Sequence, residues 1–399
     1  MNGKNCSKTI ALVLTLLGLM LFGALAIFAQ IPTLRANGKI AFTSDRDGNR
    51  EIYVMDPDGG KQTRITENGL FNDHPTWSPD GGKIAFISQR PSGAYAIFQM
   101  NADGTGKTEI TPINFQPSPY YATGWTIGWS PDGRQLVFTD LQGNSDIVVI
   151  VNADGSGRRT LTSGYGPSWS PDGSKILFVR GAFPWILYMI RPDGTDLRNL
   201  PQLPDFYNWY YDATWSPAGD QIATTAFDGA NEVVFIANAD GTDPRYFYSQ
   251  CSSSPRGCSR LAAPSWSPDG KSLVLLVWGV QSGQQIQVVD IADGVYRQLT
   301  DTVDGNNSNP NWQSLTMVTV SGRVTTPSGQ GLRNAVVSLT DSLGVRQTAT
   351  TSSFGFYSFA NIPTGETYTV SVASRLYRLT PRTITVNDNL TDIDFVGLE

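Results

Sequence analysis

Histidine is almost missing from this chain of 399 residues: His74 is the single imidazole, so histidine chemistry is limited to one group. Charge is sparse as well. Asp, Glu, Lys and Arg together make up 16% of residues, against 40 glycines and 24 prolines. That balance suits many short strands joined by tight turns better than long solvent-facing helices. Positive charge in particular is short, with a net charge of −6 and an isoelectric point near 4.9. This is the wrong sign for neutralising nucleic-acid phosphates, and no nucleic-acid partner is expected. No Gly-x-Ser-x-Gly nucleophile elbow occurs, nor an α/β segment large enough to hold a hydrolase triad. What is present in quantity is apolar: 40% hydrophobic and 11% aromatic residues, enough to bury a substantial core in two domains.

The one long apolar run is at the start. Lys4 and Lys8 precede an uncharged stretch from Ile10 to Ala29, followed by Gln30 and Pro32. This reads as an export signal cleaved after Ala29 or Ala26, with an uncleaved anchor as the alternative because about 20 apolar residues can span a bilayer. Either way the remainder lies outside the cytoplasm, periplasmic or secreted to the cell surface, and membrane contact is expected only through that N-terminal segment. Cys6 precedes the run, which argues against a lipoprotein. The other two cysteines, Cys251 and Cys258, bracket a Ser/Pro/Gly-containing loop, and an oxidising compartment favours a local disulfide over a metal site.

The dominant signal is a repeat. Trp77-Ser78-Pro79-Asp80-Gly81 returns at Trp129–Gly133, Trp169–Gly173 and Trp266–Gly270, and as Trp215-Ser216-Pro217-Ala218-Gly219 with alanine replacing the aspartate. A truncated sixth copy is Pro310-Asn311-Trp312-Gln313. Ser-Pro-Asp-Gly fits a type I turn, with proline fixing φ at the second position and glycine taking the strained fourth. A short apolar strand follows each turn (Ile84-Ala85-Phe86, Leu136-Val137-Phe138), then a second apolar strand ending in Asp-Gly, then a short polar strand. Four strands per roughly 40 to 50 residues describe a propeller blade, in which the repeated Trp packs between blades. The register is shifted: the first apolar strand, Ile40-Ala41-Phe42, has no tryptophan strand before it, while Trp312 has no apolar strand after it. The end of the array is therefore expected to supply the first blade's inner strand and close the ring.

These copies resemble the repeats of the TolB-like six-bladed propeller, above all in Ser44-Asp45-Arg46-Asp47-Gly48-Asn49-Arg50-Glu51-Ile52-Tyr53-Val54-Met55. The resemblance covers about residues 38 to 313. It implies the fold more strongly than a function, and it lacks the N-terminal α/β domain that TolB itself carries. From about Met317 a different pattern begins: Val320–Val324, Asn334–Leu339, Phe354–Phe359 and Ile362–Val370 alternate between Gly/Pro turns. This segment resembles the carboxypeptidase-regulatory-like, prealbumin-like sandwich through Gly355, Phe356, Phe359 and the Pro363/Gly365 turn, and the resemblance implies an accessory, non-catalytic domain. The expected fold is all-β: a six-bladed propeller over residues 30–315 and a small seven-stranded β-sandwich over 316–399, after a signal at 1–29.

Candidate chemistry is thin. His74 beside Asp73 could form half of a dyad, but no activated nucleophile accompanies it. Asp45-x-Asp47-Gly48-Asn49 opens like a calcium loop yet lacks the glutamate at the twelfth position, so a hairpin turn is the better account. No enzyme activity, cofactor or metal is expected. The candidate ligand surface is instead a set of residues outside the repeat motif, in loops entering the inner strands: Phe71, His74, Tyr120, Tyr121, Trp125, Tyr165, Phe206, Tyr207, Trp209, Tyr210 and Tyr211. Loops held by a rigid scaffold carry recognition, and flat rings suit a sugar face or a partner's apolar side chains. The expected function is that of a monomeric exported binding or scaffold protein recognising an envelope protein or carbohydrate. The alternative is a propeller hydrolase or lyase with an unrecognised site.

Overall fold

The computed structural model of the chain describes residues 35–399 apart from 68, 115–125, 182–185, 202–208, 228–231, 249–259, 280–282, 302–304, 342–343, 365, 387–388 and 399. Arg35–Glu399 form one compact unit, and every described element is a strand. The export signal, Cys251 and Cys258 lie outside the described residues, and among the described residues no helix is long and apolar enough to cross a membrane.

Five consecutive four-stranded antiparallel sheets follow the repeats. They are β4 (Asn72–Trp77), β5 (Lys83–Gln89), β6 (Tyr95–Asn101) and β7 (Thr108–Ile113); β8 (Ile127–Trp129), β9 (Gln135–Gln142), β10 (Ser145–Asn152) and β11 (Arg159–Ser163); β12 (Tyr165–Trp169), β13 (Ile176–Arg180), β14 (Ile186–Ile190) and β15 (Arg198–Asn199); β16 (Trp209–Trp215), β17 (Gln221–Phe227), β18 (Glu232–Asn238) and β19 (Arg245–Tyr248); and β20 (Arg260–Trp266), β21 (Ser272–Gly279), β22 (Gly283–Asp290) and β23 (Tyr296–Gln298). The first blade is β1 (Arg35–Ser44), β2 (Glu51–Met55) and β3 (Thr63–Arg64), and its inner strand is β24 (Asn307–Thr325), which pairs Trp312 with Ile40 and Asn311 with Ala41. The ring thus closes by the shifted register, as the copy count requires.

Each motif tryptophan is buried in a cluster that straddles two blades. Trp77 joins Ala41, Ile52 and Val54 of the first blade to Ile84, Phe86 and Met100 of its own. Trp312 joins Val274, Ile286 and Val288 to Ile40, Phe42 and Tyr53. The turns behave as read: Gly81 N–H donates to the Ser78 carbonyl at 2.9 Å, Gly81 takes φ +71, and Ser78 Oγ donates to Asp80 at 2.6 Å. Where Ala218 replaces the aspartate, Ser216 Oγ donates instead to Asp220 at 2.8 Å, so the turn keeps its carboxylate two residues later.

The Asp-Gly turns of the outer hairpins do more than reverse the chain. A Cβ on Gly155 would stand 2.3 Å from the Ile110 carbonyl oxygen of the preceding blade, and one on Gly104 2.4 Å from that of Ile65. Gly93 has the same left-handed φ (+87) but open space around it. Gly155→Ala should therefore cost roughly 2–5 kcal/mol, adding overpacking to backbone strain, while Gly93→Ala should cost only about 1–2 kcal/mol for the strain alone. Chemical-denaturation midpoints of the two variants check this.

The sandwich has seven strands among the described residues. β24 pairs with β27 (Phe356–Pro363) and β30 (Phe395–Val396); the facing sheet runs in the order β26 (Arg346–Thr350), β25 (Val336–Thr340), β28 (Glu366–Ala373), β29 (Arg382–Val386). Its core includes Val320, Val324, Val337, Tyr357, Phe359 and Phe395. The expected boundary at residue 315/316 lies within β24, which runs from one sheet into the other: Thr316 pairs with Arg35 and the next residue, Met317, with Pro363.

Candidate functional site

The inner strands carry a further regularity that the Trp-Ser-Pro-Asp-Gly motif conceals. Three positions before the tryptophan stand His74, Thr126, Gly166, Asp212, Ala263 and Asn309. In four strands the next residue is proline, and there the preceding residue is left-handed: His74 (φ 54), Gly166 (φ 64), Ala263 (φ 50) and Asn309 (φ 51). Pairing shifts register across the same point, between Asp73 and Thr76, Tyr165 and Ser168, and Ala262 and Ser265. This is a β-bulge seated on a residue without an N–H, so the innermost edge presents no unpaired donor there. Glycine, asparagine and histidine tolerate the left-handed region, whereas Ala263 bears its strain without a compensating polar group.

The bulges aim this position at the axis. His74, Thr126, Asp212, Ala263 and Asn309, with the motif tryptophans, line one central cavity of about 310 Å³. Two indole N–H groups are satisfied: Trp129 donates to the Thr76 carbonyl at 3.3 Å and Trp312 to that of Gly38 at 3.1 Å. The indole N–H groups of Trp77, Trp169, Trp215 and Trp266 are buried without a partner.

Asp73, fully buried behind His74, is the polar centre of this wall. Its carboxylate accepts from Thr43 Oγ1 (2.8 Å), Arg50 (2.5 Å), the His74 N–H (2.8 Å) and Asn309 Nδ2 (2.8 Å). Burial alone would raise its pKa. The neighbouring His74 and Arg50 and the hydrogen bonds outweigh that and hold the carboxyl well below the usual carboxylate range. His74 Nδ1 stands 3.3 Å from Asp73 Oδ1, in reach of an ion pair when protonated, but neither ring nitrogen has a hydrogen-bond partner. No hydroxyl or thiol among the described residues is hydrogen-bonded to the imidazole, the arrangement that would activate a nucleophile. Across the channel Asp212 accepts from the Ala263 N–H at 3.2 Å, tying two blades together.

The remaining candidates divide. Phe71 is half-buried, edge-on to Tyr95 with ring centroids 5.6 Å apart and under the Arg50 guanidinium. Tyr165 starts β12 and packs against the cluster of Leu177, Val179 and Leu187. Both are engaged within the fold, and the structure does not bring them together. Tyr120, Tyr121, Trp125, Phe206 and Tyr207 lie outside the described residues, and of Trp209, Tyr210 and Tyr211 only the backbone in β16 is described. Asp212, Thr126 and Asn309 escaped the sequence reading, which weighed Asp73 only as a dyad partner of His74; aligning the inner strands on the motif tryptophan and reading three positions back would have found all three. Asp45 and Asp47 are occupied within the fold, Asp45 by Asn306 and Asp47 by Tyr53 and Arg64. Among the described residues no cluster of three metal-ligating side chains occurs.

Residues 25–209 match the TolB beta propeller domain family and residues 319–396 the carboxypeptidase regulatory-like domain family. Among curated proteins, the Protein TolB homolog of Chlorobaculum tepidum is 37% identical over 32% of this chain and 27% of its own length. The Tol-Pal system protein TolB of Desulfosudis oleivorans is 32% identical over the same shares, 32% and 27%. The chain therefore spans about a quarter of the length of these relatives. Among solved structures, TolB from Acinetobacter baumannii superposes with a TM-score of 0.57 at 20% identity, covering 69% of this chain and 66% of that one.

Proposed function

From a chain that joins a TolB-type β-propeller to a carboxypeptidase regulatory-like domain, we infer a non-catalytic binding protein of the cell envelope that grips a protein partner at the mouth of the propeller channel. The envelope setting rests on relatives named as Tol-Pal system and TolB proteins. The observation that carries the binding reading is His74: buried, strained, facing the cavity, with Nδ1 turned to Asp73 and Nε2 without a hydrogen-bond partner among the described residues. A buried polar group left open in an otherwise bonded wall is what a ligand would complete. The aromatic residues of the sequence reading, Tyr121, Trp209 and Tyr210 foremost, are proposed to contact the same partner.

The test is affinity capture from envelope extract with purified protein. His74→Asn keeps a residue suited to positive φ while removing the ring. It should weaken capture of the main partner by roughly tenfold, as loss of one central contact does, while the variant still unfolds in one cooperative transition. Undiminished capture by the variant, or a strong response on a glycan array in place of a protein partner, would overturn this reading.

A further inference from the structure

Of the eleven exposed large apolar side chains among the described residues, seven belong to the sandwich, although it is the smaller domain. Five of the seven gather at one end. On β24, Val320, Gly322 and Val324 point into the core, so Arg323 and Thr325 face outward. Arg323 pairs with Phe356 of β27 and Thr325 with Val396 of β30, which puts Phe356 and Val396 on the same outer face. Leu398 lies two residues beyond Val396 and bridges to Arg378. Phe354 in the turn before β27 and Leu376 near Arg378 are 70% and 79% exposed.

Arginines surround these side chains. Arg323 lies over the Phe356 ring at 5.3 Å and donates to the Phe354 carbonyl at 3.0 Å; Arg375, Arg378 and Arg382 are exposed. Among the described residues, none of the sandwich's arginines has a carboxylate within ion-pairing distance. Asp394, at the same end, is engaged by the Arg323 backbone N–H at 2.6 Å. The position is equally specific. The end of the sandwich where Met317 meets Pro363 abuts the propeller, with Thr364 Oγ1 donating to the Asp80 carbonyl at 3.4 Å. Arg323 is six residues along the strand, about 20 Å further out at ~3.3 Å per residue. The patch therefore sits at the tip that points away from the propeller.

We propose that this tip, Phe354, Phe356, Leu376, Val396 and Leu398 with Arg323 and Arg378, docks on an anionic lipid surface. Protruding Phe and Leu beside guanidiniums that have no ion-pair partner among the described residues match an acyl boundary under negative headgroups. A second copy fits poorly, because an isologous contact would press like charges together. The chain's overall charge of −6 supplies no such attraction, so the arginines orient as well as bind.

Since Arg35–Glu399 is compact by itself, the test uses the chain from Gln30 onward, without the apolar segment. Sedimentation with vesicles of equal parts phosphatidylcholine and phosphatidylglycerol should show about tenfold more bound protein than with phosphatidylcholine alone, and the excess should fall with salt. Phe354→Ser with Leu376→Ser, and separately Arg375→Glu with Arg378→Glu, should each remove that excess at an unchanged melting temperature. Equal binding to both vesicle types, full binding by both variants, or salt-insensitive dimerisation through this face would overturn the proposal.

Discussion

Deletion of residues 309–315 is expected to abolish cooperative thermal unfolding of the propeller and to drive the chain out of solution. The segment is the inner strand of the first blade, and without it β1 keeps its partner on one side only. An exposed strand edge recruits other chains. The loss is more than an edge. Asn309 donates to Asp73, Asn311 Oδ1 accepts from Trp77 N–H at 2.9 Å, and Gln313 both donates to the Gly81 carbonyl and accepts from Lys39 N–H at 2.9 Å. Removing Trp312 alone should cost roughly 3–5 kcal/mol, a large share of the ~5–15 kcal/mol that holds a domain folded. A chain ended at Leu315 keeps the closing strand and should still melt cooperatively. Calorimetry of the two separates the contributions, and an unchanged transition in the deletion would show that the ring does not depend on this seam.

Asp73→Asn should destabilise the protein by about 3–5 kcal/mol at neutral pH, the usual cost of breaking one side of a buried charge pair. Four donors converge on this carboxylate, and an amide offers them one acceptor oxygen and a clashing NH₂. The effect has a pH signature. The folded-state pKa lies far below the unfolded one, so the unfolded chain takes up the proton first. The stabilisation is complete above the unfolded value of about 3.9 and fades as pH falls toward the folded value. The gap between wild type and Asp73→Asn in urea midpoint should therefore shrink as pH falls below about 4. A gap that persists undiminished at pH 3 would assign the loss to shape rather than charge.

Much of this architecture was legible in the sequence because it is written locally. Trp-Ser-Pro-Asp-Gly fixes a turn, a strand end and an inter-blade plug within five residues, and the mismatch between Ile40 and Trp312 announces closure. The channel wall was not legible in the same way. Asp73 reads as a loop residue beside the lone histidine, yet its partners come from positions 43, 50 and 309, all three more than twenty residues away. Gly155 and Gly93 share a left-handed backbone, and only in the fold does the preceding blade's Ile110 carbonyl crowd Gly155 while Gly93 stands in open space. Phe356 carries the family resemblance of the sandwich and would be assigned to its core by hydrophobicity; alternation along β27 instead buries Tyr357 and Phe359 and turns Phe356 outward. Phe71 and Tyr165, chosen as spare aromatics, are packed within the fold because strand ends also need covering.

The passage of β24 from Thr316 to Met317 has a mechanical consequence. With no unpaired residue between the ladder to β1 and the ladder to β27, the junction contains no joint. A pull on the sandwich along this strand is delivered as shear to the β1 ladder, where the hydrogen bonds bear load in parallel rather than opening one after another. The seam that closes the ring is thus also its tether point, and the ring resists traction through the same bonds that hold it shut.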